Sequence, residues 1–276
     1  MGLKEAYVST MRTVSTEASF TASANNACFK DFQLVEIPDV MQNRLGAPEG
    51  AALMRRWFNS PAFSLPEAWR LGNVNYRSVP AQNIDTSIIT MAWVSGFQRA
   101  AQALTALESS RTNTPAGARE LKRVLLRSGS LGTKRVPIGT ASDAIGLHET
   151  AHLNSIGVEA GGSVDALDCA LAAFTLHLAV SGFVQPLANR VYGNTHEVEI
   201  TKLHFYVRDN YDFTTGKEPL GHWSRDGAAV LYSPGKVFVE DQHFRDWRAR
   251  HGRGGDFVVF SDVKTKQLAK PLKIMI

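Results

Sequence analysis

Along residues 203–208 apolar and polar positions alternate, with Leu203, Phe205 and Val207 on one side and His204, Tyr206 and Arg208 on the other. That two-residue period predicts a strand over 197–208 with one buried face. Further short strands are expected at 228–232, 236–239 and 257–263, separated by Gly and Pro turns, with a short helix over 242–250 between the last two.

The earlier half of the chain follows a helical period. Leu53, Met54, Trp57 and Phe58 form an apolar stripe over 48–58, which Asn59, Ser60 and Pro61 close. Asp85 is placed to cap a helix in which Ile88, Ile89, Ala92, Trp93, Phe97 and Leu104 recur at three- and four-residue spacing, so Trp93 and Phe97 are expected in the core. Thr114 and Pro115 open another helix to Arg127, with Leu121, Val124 and Leu125 inward. Ser142 and Asp143 cap one that runs to about Ser155, and Ser163 caps one over 164–181 that Gly182 ends. This last helix is apolar almost all round. It is shorter than the roughly 20 apolar residues a bilayer needs. It opens on Asp165 and Asp168 and encloses His177, so it is predicted as a buried central helix with His177 a hydrogen-bonded core histidine. A short edge strand is expected over 32–40, ended by Pro38.

Helices first and strands after define an α+β chain, with an N-terminal helical part packed on a largely antiparallel C-terminal β-sheet. The expected division is a flexible arm over 1–30, rich in Ser, Thr, Ala and Asn, a mainly helical part over 31–185 and a mainly β part over 186–276.

Composition narrows the class without changing that picture. The 276 residues are 44% hydrophobic and 20% charged, an ordinary globular balance. Two cysteines, Cys28 and Cys169, exclude a disulfide scaffold and a zinc ribbon. A net charge of +4 is mildly basic, concentrated at 119–134, 245–253 and 264–273, which favours solvated faces over a nucleic-acid site. No basic segment followed by an apolar core marks a secretory signal at the N-terminus, and no transmembrane segment is expected.

Two places hold residues that could do chemistry. Asp209, Tyr211 and Asp212 stand at the end of the predicted strand, with His222 and Arg225 arriving just after a Gly-Lys-Glu-Pro turn. The same residue types are also what a turn selects, because Asp and Asn bond nearby backbone and a strand Tyr packs its ring. The second place is His148-Glu-Thr-Ala-His152, an H-E-x-x-H pattern that sets two imidazoles one helical turn apart for zinc, with Glu149 as base. Glu159, Asp165 or Asp168 would have to supply the third ligand, on a short helix with Gly146 directly before the motif. A polar helix whose His and Glu face solvent or cap neighbours explains the same letters.

Several stretches resemble a bacterial family catalogued as domain of unknown function 6402, found with type VI secretion systems. They are 51–58 (Ala-Ala-Leu-Met-Arg-Arg-Trp-Phe) with 61–63, 84–99, 205–213 (Phe-Tyr-Val-Arg-Asp-Asn-Tyr-Asp-Phe) with 220–223, and 244–262. Separately, Asp209-x-Tyr211-Asp212 is similar to the active-site signature of colicin M-type bacteriocins, magnesium-dependent enzymes that cut lipid II between undecaprenyl and pyrophosphate. His222 comes later than in that signature, and Trp223 stands where Arg is expected, with Arg225 two residues on.

These resemblances imply an antibacterial effector, cytoplasmic in the producing cell, exported without a signal peptide and acting in the target periplasm. Its partners would be type VI components, a cognate immunity protein and a lipid-linked substrate. The lipid II reading would use Asp209, Tyr211, Asp212, His222 and Arg225 catalytically, Mg2+ on Asp209 and Asp212, and Arg245 and Arg248 for phosphate. The alternatives are a zinc metallopeptidase through His148, His152 and Glu159, and a non-enzymatic adaptor, immunity or interaction protein of the secretion system.

Overall fold

A computed structural model describes residues 32–161, 164–191, 193–213 and 219–276. The arm expected over 1–30, the cap at Ser163 and most of the turn before His222 lie outside these residues. The chain is of the mixed α+β class, and its main sheet is largely antiparallel. It divides into two units. The first takes in the described residues through Asn73, with Glu159–Phe174 and Asn210–Val258; the second is Val74–Val158, Thr175–Asp209 and Val259–Ile276.

In the first unit, α1 (Ile37–Asn43) packs on α2 (Pro48–Asn59). The expected strand over 32–40 is therefore a helix: Pro38 lies in its first turn, where a missing N–H costs nothing, instead of ending a strand. Helix α2 matches the predicted stripe. Gly50 lets it approach the short helix α8 (Ala166–Ala170), since a Cβ there would stand 2.8 Å from the Cys169 carbonyl carbon. Short helix α3 (Glu67–Arg70) follows α2. A three-stranded antiparallel sheet, β7 (Gly227–Ala229), β6 (Pro219–Ser224) and β8 (Val237–Glu240), precedes α9 (Asp241–His251), which Gly252 ends with a left-handed φ of 62°.

The centre of this unit is Trp57, fully buried and set edge-on to Phe58, Phe213 and Phe244 at centroid distances of 5.2, 5.0 and 5.4 Å. Its indole N–H donates to Asp256 Oδ1 at 2.9 Å. The Leu65 amide (3.2 Å) and the Arg248 guanidinium donate to the same carboxylate.

In the second unit, α4 (Met91–Val94) and α5 (Gln98–Ser110) replace the single helix expected from Asp85. Asp85 lies in β1 (Ile84–Asp85) and accepts the Ser87 and Ile88 amides, both at 2.9 Å, which makes a turn; Thr90 caps α4. Trp93 and Phe97 are half-buried and meet edge-on at 5.0 Å. Helix α6 (Pro115–Arg127) is as predicted, its Thr114 side chain accepting the Gly117 amide at 3.0 Å.

The largest correction concerns 164–181. Only α8 is helical there, and Phe174–Val191 forms β4, an 18-residue strand. An apolar run without a polar stripe suits a strand covered on both faces as well as it suits a buried helix, and length does not separate the two. No described helix is long and apolar enough to cross a membrane.

Strand β4 pairs antiparallel with β5 (Asn194–Tyr211), Thr175 opposite Arg208 and His177 opposite Tyr206. Leu176, Leu178 and Val180 bury one face together with Leu203, Phe205 and Val207. On the other edge of β4 lie β2 (Val136–Ile138) and β3 (His152–Val158). Strand β5 also pairs with β9 (Phe257–Phe260) and with β10 (Lys264–Met275). The register of β4 on β5 shifts between Ser181 and Gly182, where a Cβ on Gly182 would fall 1.9 Å from the Glu199 carbonyl oxygen. The basic run 264–273 is thus mostly strand β10, with Lys266 on Glu108 and Lys273 on Glu197 at 3.0 Å.

His204 lies buried on the opposite face of β5 from Phe205. Its Nε2 is 2.6 Å from Ser181 Oγ, which itself donates to the Gly139 carbonyl, so His204 donates to the serine and its Nδ1 accepts from Thr265 at 2.9 Å. Burial, helped by Lys202, lowers its pKa from 6.5 to about 4. The depressed value means that His204 contributes stability fully above pH 6.5 and loses it as pH falls toward 4. The stability gap between wild type and His204→Gln should therefore shrink by about 1.4 kcal/mol per pH unit across that window. Urea unfolding at pH 7, 6 and 5 measures it, and a constant gap would refute the assignment.

Candidate metal centre

The second unit gathers His148, His152 and His177, each offering a ligand nitrogen within 4.8 Å of the others. Asp143 starts α7 (Ala144–Ala151) by accepting the Gly146 amide at 2.7 Å, and the helix ends after two turns. His148 lies in the last turn. His152, at φ −59° and ψ 133°, already begins β3. The helix expected through Ser155 stops because β3 pairs with β4, and the same pairing brings His152 beside His177. Ring centroids are 5.0 Å apart for His148 and His152, 5.2 Å for His148 and His177, and 5.1 Å for His152 and His177.

Each ring is oriented by a neighbour. Glu120 on α6 lies 3.1 Å from His152 Nδ1 and is held in turn by Arg123 at 2.8 and 2.6 Å. Arg123 foremost, then His152, keep the Glu120 carboxyl well below the usual range despite burial, so it accepts the Nδ1 proton. His152 Nε2 then faces His177 Nδ1 at 3.0 Å. His177 stacks on Tyr206, its partner across β5, at 5.5 Å and 12°, and its Nε2 is buried without a hydrogen-bond partner. His148 Nδ1 is 2.9 Å from the Tyr206 hydroxyl. Tyr76 and Phe260 close over His148 at 5.6 and 5.8 Å.

Burial, then the neighbouring charges, pushes His148 down to about 2 and His177 well below its ordinary value. Both are neutral at physiological pH, the form in which imidazole ligates metal. Two nitrogens about 2.0–2.1 Å from a tetrahedral zinc stand roughly 3.3 Å apart, close to the spacing of His152 and His177. A carboxylate on the outer nitrogen of a ligand histidine is also the arrangement that fixes such rings. The residues fit an ion.

The rest of the zinc-peptidase set is not gathered. Glu149 is buried and accepts from the Tyr76 amide at 3.0 Å and from Arg127 at 3.1 Å, so its carboxylate is committed away from a water on the histidines. Glu159 is exposed and belongs to the first unit, and the third nitrogen comes from His177. Nothing in the sequence marked His177 as a ligand except its isolation in an apolar run, and Glu120 and Tyr206 carried no signal.

The Asp-x-Tyr-Asp residues have different surroundings. Tyr211 is buried, stacks on Phe257 at 5.1 Å and donates to Met54 Sδ at 3.5 Å. Burial pushes its phenol up, away from acid or base chemistry. Asp209 is the last residue of its segment of the second unit, and Asp212 follows β5 in the first. His222 packs on Phe238 and Tyr232 at 5.2 and 5.9 Å. Arg225 bonds Glu36 at 2.7 Å, Arg245 reaches Gln242 at 2.7 Å and the Phe213 carbonyl at 3.4 Å, and Arg248 is closed on Asp256 and Ser64. Tyr211 and Arg248, expected in catalysis and phosphate binding, are thereby engaged in packing and in a buried ion pair.

An α+β chain with a buried cluster of three histidines is what these observations define. A family profile described as "Family of unknown function (DUF6402)" matches residues 32–236 and 231–276, and the chain belongs to that family. No curated protein and no solved structure matches it.

The ion pairs of Arg248, expected at a phosphate, and of Arg225, expected in catalysis, should separate on mutation. Asp256→Ala leaves Arg248 buried without its carboxylate and should cost about 3–5 kcal/mol. Arg225→Ala removes an exposed pair and should cost about 0–1 kcal/mol. Urea denaturation of both variants compares them, and equal small effects would show Arg248 to be free for another role.

Proposed function

We propose that this protein binds a divalent transition metal, zinc foremost, through His148, His152 and His177. The single observation that carries this reading is the convergence of three imidazoles, two of them oriented by Glu120 and Tyr206. His177 Nδ1, 3.0 Å from His152 Nε2, is the nitrogen placed to share an ion with it. Imidazole donors suit zinc and its neighbours in the first transition row, and not magnesium or calcium.

Three protein ligands leave a fourth position, the composition of hydrolytic zinc sites. When bound, the ion would supply a water acidified for attack. In this role Glu120 orients His152, Tyr206 orients His148, and Tyr76 and Phe260 exclude bulk water beside His148. The peptidase version lacks its base, since Glu149 is held by Tyr76 and Arg127. The type VI context implied by the family resemblance is compatible with a hydrolytic effector that acts in a target cell and is neutralised in the producer by an immunity protein. The lipid II reading draws less support, because it keeps Asp209 and Asp212 but must do without Tyr211 and Arg248.

Untagged protein, stripped and titrated with zinc, should take up one ion per chain by calorimetry and elemental analysis. His177→Ala and His148→Ala should abolish the uptake, and Glu120→Gln should weaken it by about 10–100-fold. At a free zinc concentration of about 100 Kd the wild type gains about 2.7 kcal/mol of stability. Failure to bind zinc, or binding unchanged in His177→Ala, would overturn the proposal.

A further inference from the structure

Resting on the metal reading above, we infer that the fourth position of the His148, His152 and His177 centre takes a small oxyanion from outside the chain, bound through an anionic oxygen. Three neutral imidazoles leave the charge of a divalent ion undiminished, and a bare charge in a buried site is strongly unfavourable without a counter-charge. Among the described residues no carboxylate joins the cluster. The two acidic side chains packed around it are committed: Glu120 to Arg123 and His152, Glu149 to Arg127 and the Tyr76 amide. Each is matched by its own guanidinium, so neither supplies the missing negative charge.

The cationic surroundings favour the same ligand. Arg208 follows Tyr206 by two positions on β5, on the same face. Its guanidinium lies over the Tyr76 ring at 5.1 Å, and that ring meets His148 at 5.6 Å. The Arg208 charge acts on His148. Of the three histidines His148 is the one that is only partly buried. A phosphate, a phosphate ester or a carboxylate shares the chemistry this place recognises, an oxygen carrying negative charge.

The test uses the full chain loaded with cobalt(II), whose visible spectrum reports its ligands. Inorganic phosphate and acetate, titrated in parallel, should each shift the spectrum saturably, and the tighter of the two identifies the oxyanion class. Neutral N-methylacetamide should leave the spectrum unchanged. Arg208→Gln should weaken the anion titration several-fold while cobalt stoichiometry stays at one. A cobalt spectrum indifferent to phosphate and acetate at millimolar concentrations would overturn this inference and leave the metal reading standing. Absence of cobalt binding would remove both.

Discussion

Strand β4 is covered on both faces, and its burial sets the terms for everything chemical in the second unit. A polar side chain on such a strand cannot reach bulk water, so it must be satisfied by what the neighbouring strands and helices bring to it. Ser181 finds Gly139 and His204, and His177 finds His152 on one nitrogen and no described partner on the other. The histidine cluster is thus the place where the sheet's demand for internal satisfaction is least completely met. The helix α7 that ends beside it, and the carboxylate of Glu120 above it, are arranged around that demand.

The first unit solves a related problem by closing it. Asp256 is as buried as His177, yet its carboxylate receives the Trp57 indole, the Leu65 amide and the Arg248 guanidinium. Burial still pushes its pKa up, to about 6, with those donors pulling the other way. The stretches 51–58, 205–213 and 244–262, which carry the family resemblance, supply Trp57, Phe213, Phe244, Arg248 and Asp256. What reads as a family signature is therefore in large part the wall of an aromatic core. The histidines themselves lie outside those stretches, which bring Tyr206, Arg208 and Phe260 to their neighbourhood.

Legibility followed the range of the interactions. Thr114 with Pro115, Asp143, and the stripe from Leu53 to Phe58 act within one or two turns, and the helices they announce are present. Strand β5 showed itself by alternation of residue type, although its two faces are both buried over 203–207, where one buried face was expected. Pro38 was misread because a proline fits the first turn of a helix as well as the end of a strand, and only the packing of α1 on α2 decides between them. The run from Phe174 to Val184 was misread for a similar reason: it has no polar stripe to reveal a period. At the candidate site, His148 and His152 were legible as a local pair. His177 was not, since what makes it a third member is a strand pairing between segments twenty-five positions apart. Tyr211 and Arg248 looked reactive by residue type, and it was burial by distant partners that gave them structural work.

The stagger at Ser181 and Gly182 reaches further than its size. A strand displaced by a single residue presents every side chain to the wrong side, so the identity of the residue facing Tyr206 is a matter of counting. Gly182 fixes that count, because the Glu199 carbonyl occupies the space any larger residue would need. The distal end of the hairpin, from Pro186 to the turn at Gly193, lies beyond that pin. A second register shift falls between Pro186 and Val191, while His177 stays opposite Tyr206. The hairpin behaves as a vernier with one locked graduation, and the three imidazoles are set by it.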